Sequence, residues 1–412
     1  MRQRPHSRAT LVPLTLKLAL LVAAALAVAG CGSTKVLHII SSAGTAASDS
    51  PHALTQLGLP ALATKNTTRI DGADPITDAA GVAIAVYPSV LGGTHPPAVA
   101  LAPTDDWEAA LAASVLMAPP VRAPLLLSGP HKLPPVTAAT LSKLAPTGSG
   151  PADGAQVIRI GQVPTPHGLH AASIGGTDPY SLAASIDRFV SAIAGRPSAD
   201  VVVASADSPA YAMPAAGWAA ESGDPILFVG GSSVPAATRE ALQSHQHPHI
   251  YVLGPPSVIS DAIVKQLGAY GSVKRVGAAG DSANSVAFAT YRDPACPYGQ
   301  PCAHIPSSFG WAIRSPGHGY VLLNSSRPLD AAAAAALSSS GDYGPQLLVD
   351  DPTTLPHAVL NYFLDYATPG YNQAGPTAAV YNHGWVIGDA GAISVSVQAE
   401  LDHLLEAVPL PK

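Results

Sequence analysis

Apolar residues in this chain fall into short continuous runs separated by longer stretches of helical periodicity. The runs Val99-Ala100-Leu101-Ala102, Val201-Val202-Val203-Ala204 and Tyr320-Val321-Leu322-Leu323 each lead into an Ala-rich stretch, at 105–118, 208–221 and 328–339. A second run follows each: Pro124-Leu125-Leu126-Leu127, Pro225-Ile226-Leu227-Phe228 and Pro345-Gln346-Leu347-Leu348-Val349. A third closes each series: Val157-Ile158-Arg159-Ile160-Gly161, Ile250-Tyr251-Val252-Leu253-Gly254 and Trp385-Val386-Ile387-Gly388. Continuous rather than alternating runs suit strands buried on both faces, as in a parallel sheet covered by helices. Leu182, Ile186, Phe189, Val190 and Ile193 share one helical face, with Gly195 placed as its C-cap. Asp105 and Glu108 predict a capping box, and Pro119-Pro120 ends the helix that follows. Strand alternating with helix predicts right-handed crossovers in α/β units.

The same order occurs three times. Arg69-Ile70-Asp71-Gly72-Ala73-Asp74-Pro75 resembles Ser173-Ile174-Gly175-Gly176-Thr177-Asp178-Pro179, and Arg275-Val276-Gly277-Ala278-Ala279-Gly280-Asp281 is a looser copy. Ile70 and Ile174 are 104 residues apart, and Ile174 and Val276 are 102 apart. The third copy is longer: Val276 to Val321 is 45 residues where Ile174 to Val201 is 27. A further expansion lies between Val349 and Trp385. Insertions of this kind fall in surface loops and can carry function. The expected organisation is a leader at 1–30, a tether at 31–62, and modules at 63–165, 166–270 and 271–412.

The N-terminus reads as an address. Arg2, Arg4, Arg8 and Lys17 precede an apolar run, Leu18 to Ala29, ending at Gly30-Cys31. Basic residues, a short apolar region and small residues before the cut are the parts of a secretory signal. The run is shorter than the ~20 residues a membrane span needs. The Val28-Ala29-Gly30-Cys31 ending resembles a bacterial lipobox, which implies cleavage before Cys31 and lipidation of its thiol. Residues 33–60, rich in Ser, Ala, Thr and Gly, then tether the fold to the lipid. Cys296 and Cys302 remain as an even pair in an oxidising compartment and are expected to form a disulfide.

Charge narrows the partners. The chain carries a net charge of −6, and without the first 30 residues it has 17 basic against 27 acidic side chains, or −10. That argues against nucleic acid, which requires clustered Lys and Arg. Hydrophobic residues at 47% and charged ones at 12% fit a packed chain and not a solvated disordered one.

The repeated order resembles the bacterial cell-wall-binding repeat 2 family. The residues carrying the resemblance are the opening Arg69, Gly72 and Asp74, and the helix starts Glu108-Ala109-Ala110-Leu111 and Leu329-Asp330-Ala331. So are the strand-to-helix steps Val252-Leu253-Gly254-Pro255-Pro256-Ser257-Val258-Ile259-Ser260 and Val386-Ile387-Gly388-Asp389-Ala390-Gly391-Ala392-Ile393-Ser394. It covers roughly residues 65 to 410. It implies three similar parallel-sheet α/β modules with flanking helices, packed as an intramolecular pseudo-trimer, and a non-catalytic anchor on anionic wall polymers. The family's second Arg is here Pro75, Pro179 and Ser282, and Ser173 stands where the other copies have Arg69 and Arg275.

No Gly-x-Ser-x-Gly elbow, Walker loop, His-Glu-x-x-His or Gly-x-Gly-x-x-Gly is present. His245, His247 and His249 read as a polar loop before a strand, with Pro248 interrupting them, and Asp350-Asp351 as a solvated turn. Trp107, Trp218 and Trp385 fall in helices and a core strand; Trp311, in the third-copy insertion, is the best exposed sugar platform. The expected protein is a bacterial, extracytoplasmic, lipid-anchored monomer without catalytic residues, metal or cofactor. It would bind cell-wall polysaccharide or scaffold at the envelope through Arg69, Lys274, Arg275 and Trp311. Two rivals share the address: a two-lobed solute-binding lipoprotein, and an envelope hydrolase such as an amidase.

Overall fold

The computed structural model describes residues 62–91, 93–295, 309–371 and 379–409. The leader, Cys31, the tether up to residue 61 and the Cys296 and Cys302 pair lie outside the described residues. A short strand β1 (Leu62–Ala63) precedes β2 (Thr67–Ile70) and helix α1 (Pro75–Val86). The first copy continues through β3 (Val99–Pro103), α2 (Trp107–Ala113), β4 (Leu125–Ser128), α3 (Pro135–Leu144) and β5 (Val157–Ile160). Then come β6 (Ala171–Ile174), α4 (Pro179–Ala194), β7 (Asp200–Ser205), α5 (Pro209–Ala212) and α6 (Pro214–Ser222). The second copy closes with β8 (Ile226–Val229), α7 (Ala236–Ser244), β9 (His249–Leu253) and α8 (Asp261–Leu267). The third copy opens with β10 (Ser272–Val276), α9 (Asp281–Thr290), β11 (Gly319–Asn324), α10 (Pro328–Ser338) and β12 (Gln346–Val349). Last are α11 (His357–Tyr362), β13 (Gly370–Tyr371), β14 (His383–Ile387), α12 (Val395–Leu404) and β15 (Val408–Pro409).

These strands build an α/β fold with three main sheets of one pattern. Their orders are β4-β3-β5-β6, β8-β7-β9-β10 and β12-β11-β14-β2, all parallel, with β1 added antiparallel to β2. Every residue of β3, β4, β7, β8, β11 and β12 is buried, which is why their sequences run apolar without alternation.

The sheets are offset from the sequence copies by one strand. Each opening strand pairs with the sheet of the copy before it: β6 joins β5, and β10 joins β9. The opening strand of the first copy, β2, follows no earlier sheet among the described residues. It completes the third sheet instead, against β14. Sheet boundaries therefore fall after residues 174 and 276, and the N-terminal strand belongs with the C-terminal third of the chain. The helix after each opening strand then crosses to the next sheet; α4 touches both β6 and β8.

Local chemistry starts the helices. Asp74 and Asp178 cap α1 and α4, accepting from Thr77 N and Ser181 N, with Pro75 and Pro179 at the first helical position. Gly195 ends α4 at φ 73°. The cap of α2 corrects the expected box: the helix starts at Trp107, so Asp106 and not Asp105 accepts from Ala109 N at 2.8 Å. Helix α10 is buried along Asp330–Ser338 and packs against α1, α2 and α6. Its alanines and Gly217 of α6 let these helices approach closely. A Cβ on Gly217 would lie 2.7 Å from Ser338 Oγ.

Candidate functional site

One guanidinium fastens the exit of each sheet. In the third sheet Arg69, opposite Val386, donates from Nε to Gln398 Oε1 at 2.8 Å. Its Nη1 donates to the carbonyls of Gly388 at 2.7 Å and Asp389 at 3.0 Å, and Nη2 reaches Ser394 O at 3.4 Å. The side chain ties the loop after β14 to the strand beside it. In the second sheet Arg275, opposite Val252, does the same: Nη1 donates to Gly254 O at 2.9 Å, and Nη2 to Ile259 O at 2.8 Å and Asp261 Oδ1 at 2.9 Å. These loop carbonyls lie past the strand ends, where no ladder partner remains, so a forked donor satisfies them.

The first sheet has Ser173 at this position, and the structure shows what replaces the missing arginine. Ser173 pairs in register with Arg159 of β5. Arg159 donates from Nη1 to Ser173 Oγ at 3.0 Å and from Nε to Val163 O at 3.1 Å, with Nη2 on the same carbonyl. The guanidinium has changed strands across the ladder and still holds the loop after the third strand. The sequence carried a signal for this that its reading passed over: Arg159 is a charge inside an otherwise apolar run.

The expected polymer-binding residues are dispersed. Arg69 is 2% exposed and sits in the third sheet, whereas Arg275 sits in the second. Burial lowers the pKa of Arg69, against the raising fields of Asp71, Asp389 and Asp78. Lys274 is half exposed and pairs with Asp293, which also accepts from Tyr251 Oη at 2.7 Å. Burial pushes the Asp293 carboxyl up, but the bonds from Lys274 and Tyr251 bring it below its ordinary value. Trp311 is a correction to the sequence reading. It is 7% exposed, edge-on to Trp218 at 5.4 Å and stacked with Tyr343 at 6.5 Å. The third-copy insertion folds inward at this point, and Phe309 stacks on Tyr251 at 3.5 Å.

Carboxylates crowd the same strand ends. Asp78 and Asp330 are fully buried about Arg327. Glu108, beside Asp106, is pushed up to about 7 by burial first, with Asp106 and Asp207 adding to the shift. The strand ends therefore carry mixed charge and are not uniformly basic.

The three spaced histidines part company. His245 is buried between Asp187 Oδ2 at 2.9 Å and Ser198 O at 2.7 Å. His249 meets Asp200 at 2.9 Å, and His247 sits at φ 68° in the turn between. Asp351 accepts from Thr353 N at 2.8 Å, closing the turn expected there. Among the described residues no group of three or more His, Cys, Asp or Glu is arranged to hold a metal ion.

Residues 173–264 match the family model of Cell wall binding domain 2 (CWB2). The matched CWB2 segment starts at Ser173 in β6 and ends in α8, so it spans one sequence copy and not one sheet. Among solved structures, Cwp6 from Clostridium difficile superposes with a TM-score of 0.64 at 17% identity, covering 83% of this chain and 48% of its own. Cwp8 from Clostridium difficile gives 0.61 at 16% identity, covering 83% and 53%. The chain thus spans about half the length of each, and at these identities the likeness is one of fold. No curated protein matches the chain.

Proposed function

We propose that this chain is a bacterial cell-envelope protein that binds a wall polymer non-covalently through three CWB2-like modules. The observation carrying the reading is the CWB2 match at 173–264, inside a fold whose three sheets share one strand order. The modules pack about a common axis in this reading. The mutual packing of α2, α6 and α10, which follow the first strand of each sheet, supports it. The polymer lies along the strand ends and their exit loops, where Arg275 keeps part of its side chain in solvent, and passes the edge strand β10, where Lys274 on the opposite face is half exposed. Arg69, sealed by its four acceptors, shapes its loop and does not touch the ligand.

Purified wall stripped of protein tests this by co-sedimentation. The parent chain is expected to pellet with wall, less so as salt screens the contact. Lys274→Gln with Arg275→Gln is expected to weaken pelleting at least about fivefold, with the thermal midpoint read alongside because Arg275 also holds the loop after β9 and Lys274 the Asp293 carboxylate. A parent that stays in the supernatant would overturn the reading. Unchanged pelleting of the double variant would move the site elsewhere.

Anchoring rests on the leader. In this reading Cys31 carries the lipid, Cys296 and Cys302 form a disulfide, and the protein is held on the outer face of the membrane. Cys31→Ser is expected to abolish palmitate labelling and shift the protein to the culture medium. Retention of label in that variant would contradict it.

A further inference from the structure

The third sheet contains a seam that the other two lack. In the first sheet, residues 161–170 join β5 directly to β6; in the second, residues 254–271 join β9 to β10. In the third, β14 and β2 lie side by side although about 300 residues separate them in sequence, so no short loop joins them. Polar contacts concentrate along this seam. Thr64 Oγ1 and Asn66 N donate to Asp402 Oδ1 at 2.6 and 2.7 Å, and Lys65 pairs with Glu406. Gln398 Nε2 donates to Thr67 Oγ1 at 3.0 Å.

Behind the seam lies a buried ion trio. Arg327 Nη2 meets Asp78 Oδ2 at 2.8 Å, and Arg327 Nε meets Asp330 Oδ2 at 2.6 Å. Asp78 comes from α1, which follows the seam strand; Arg327 and Asp330 come from the start of α10. Gly72 N donates to Asp78 Oδ1 at 2.9 Å, so the trio grips the turn after β2. At the equivalent place, four residues past the cap, α4 carries Leu182 and α9 carries Asn284. Of these three equivalent positions, only the one at the junction without a covalent link carries an ionisable side chain.

We infer that this trio is a proton-dependent latch that holds the N-terminal β2–α1 segment in the third sheet and loosens when its proton leaves. Two carboxylates with 0% exposure share one guanidinium, so both can ionise only by leaving a net negative charge away from water. The other charges facing them are Asp74 at the start of α1, Asp389 in the loop after β14, and Arg69 on β2. Asp74 and Asp389 oppose ionisation. Burial pushes Asp330 up to about 7 and Asp78 well above its ordinary value, with Arg327 pulling both down. A folded pKa above the unfolded one means stability complete below the unfolded value and lost as pH rises through about 7. The inference does not depend on wall binding.

Hydrogen exchange read by mass spectrometry from pH 5.5 to 8.5, corrected for intrinsic rates, tests it. In the parent, opening of peptides within 62–87 is expected to grow by up to about tenfold per pH unit from pH 5.5 to about 7 and to level off above it, beyond any change in peptides within 226–243. Asp330→Asn leaves a one-to-one pair and is expected to remove that excess slope; Asp78→Asn serves as a second variant and is expected to do the same. A flat parent profile overturns the latch, as does an unchanged slope in either folded variant.

Discussion

At the scale of single residues, the exchange of Arg159 with Ser173 makes the sharpest statement. If the guanidinium acts for the exit loop and not for its own strand, its side of the ladder should matter little. Arg159→Ser is expected to cost ~1–3 kcal/mol in urea unfolding by leaving the Val163 carbonyl without its donor. Adding Ser173→Arg, which recreates the arrangement of Arg69 and Arg275, is expected to recover at least half of that loss. A double variant no more stable than Arg159→Ser alone would separate the first sheet from the other two. Arg69→Ala is expected to cost more than Arg275→Ala, because Arg69 is 2% exposed and water cannot replace its bonds to Gly388 and Asp389. This level was the least legible in the sequence. Arg69 and Arg275 were visible as recurring positions, but their roles depend on loop carbonyls more than 300 and about 20 residues away along the chain. Trp311 was misplaced because an insertion suggests a surface loop, whereas its aromatic residues pack inward against Trp218.

At the scale of elements the sequence was far more informative. All nine repeated runs are strands, because burial on both faces demands continuous apolar residues and leaves a pattern that needs no partner to be recognised. Which sheet an opening strand joins was not legible: β6 and β10 pair with the strand just before them and β2 with β14 about 300 residues away, and neither choice leaves a trace in the apolar pattern. The small residues between helices are also interpretable only in three dimensions. Gly217 reads as a weak helix position, worth up to ~1 kcal/mol if replaced by alanine. The structure reverses that sign: a Cβ there would press on Ser338 Oγ at 2.7 Å and Gln346 Cγ at 3.2 Å. Gly217→Ala is expected to lower the thermal midpoint by several degrees, equivalent to ~1–3 kcal/mol of overpacking. A higher midpoint would mean that α6 and α10 have room to part.

At the scale of the whole molecule, several buried ionisable groups pull stability the same way. Asp224 is pushed up to about 6 by burial and by Asp200, against bonds from Ser198, Ser222 and Trp218. Asp330 and Glu108 are each raised to about 7, chiefly by burial. His245 loses some basicity to burial, but the Asp187 bond and charge leave it raised overall. Each of these pKa values lies above its unfolded value, so each contribution is full at low pH and fades as pH climbs through the folded pKa. Asp178, Asp293 and Asp351 are lowered and act the other way as pH falls below about 4, and His318 and His383, lowered by burial, act the other way as pH falls below about 6.5. Calorimetry is therefore expected to find the thermal midpoint falling between about pH 5 and pH 7, because the raised carboxyls outnumber the two lowered histidines, and levelling off above.

The claim on which the molecular account turns is that the N-terminal strand completes the third sheet. Gly384 N donates to Asn66 O at 2.9 Å and Gly388 N to Ile70 O at 2.8 Å, so these two amides report on it directly. Their exchange should be measured in the chain beginning at residue 62 and in one beginning at residue 71. The account predicts strong protection in the first and near-complete loss in the second, while Gly161 and Gly254, at matching places in the other sheets, stay protected in both. Equal protection of Gly384 and Gly388 in the two chains would contradict it.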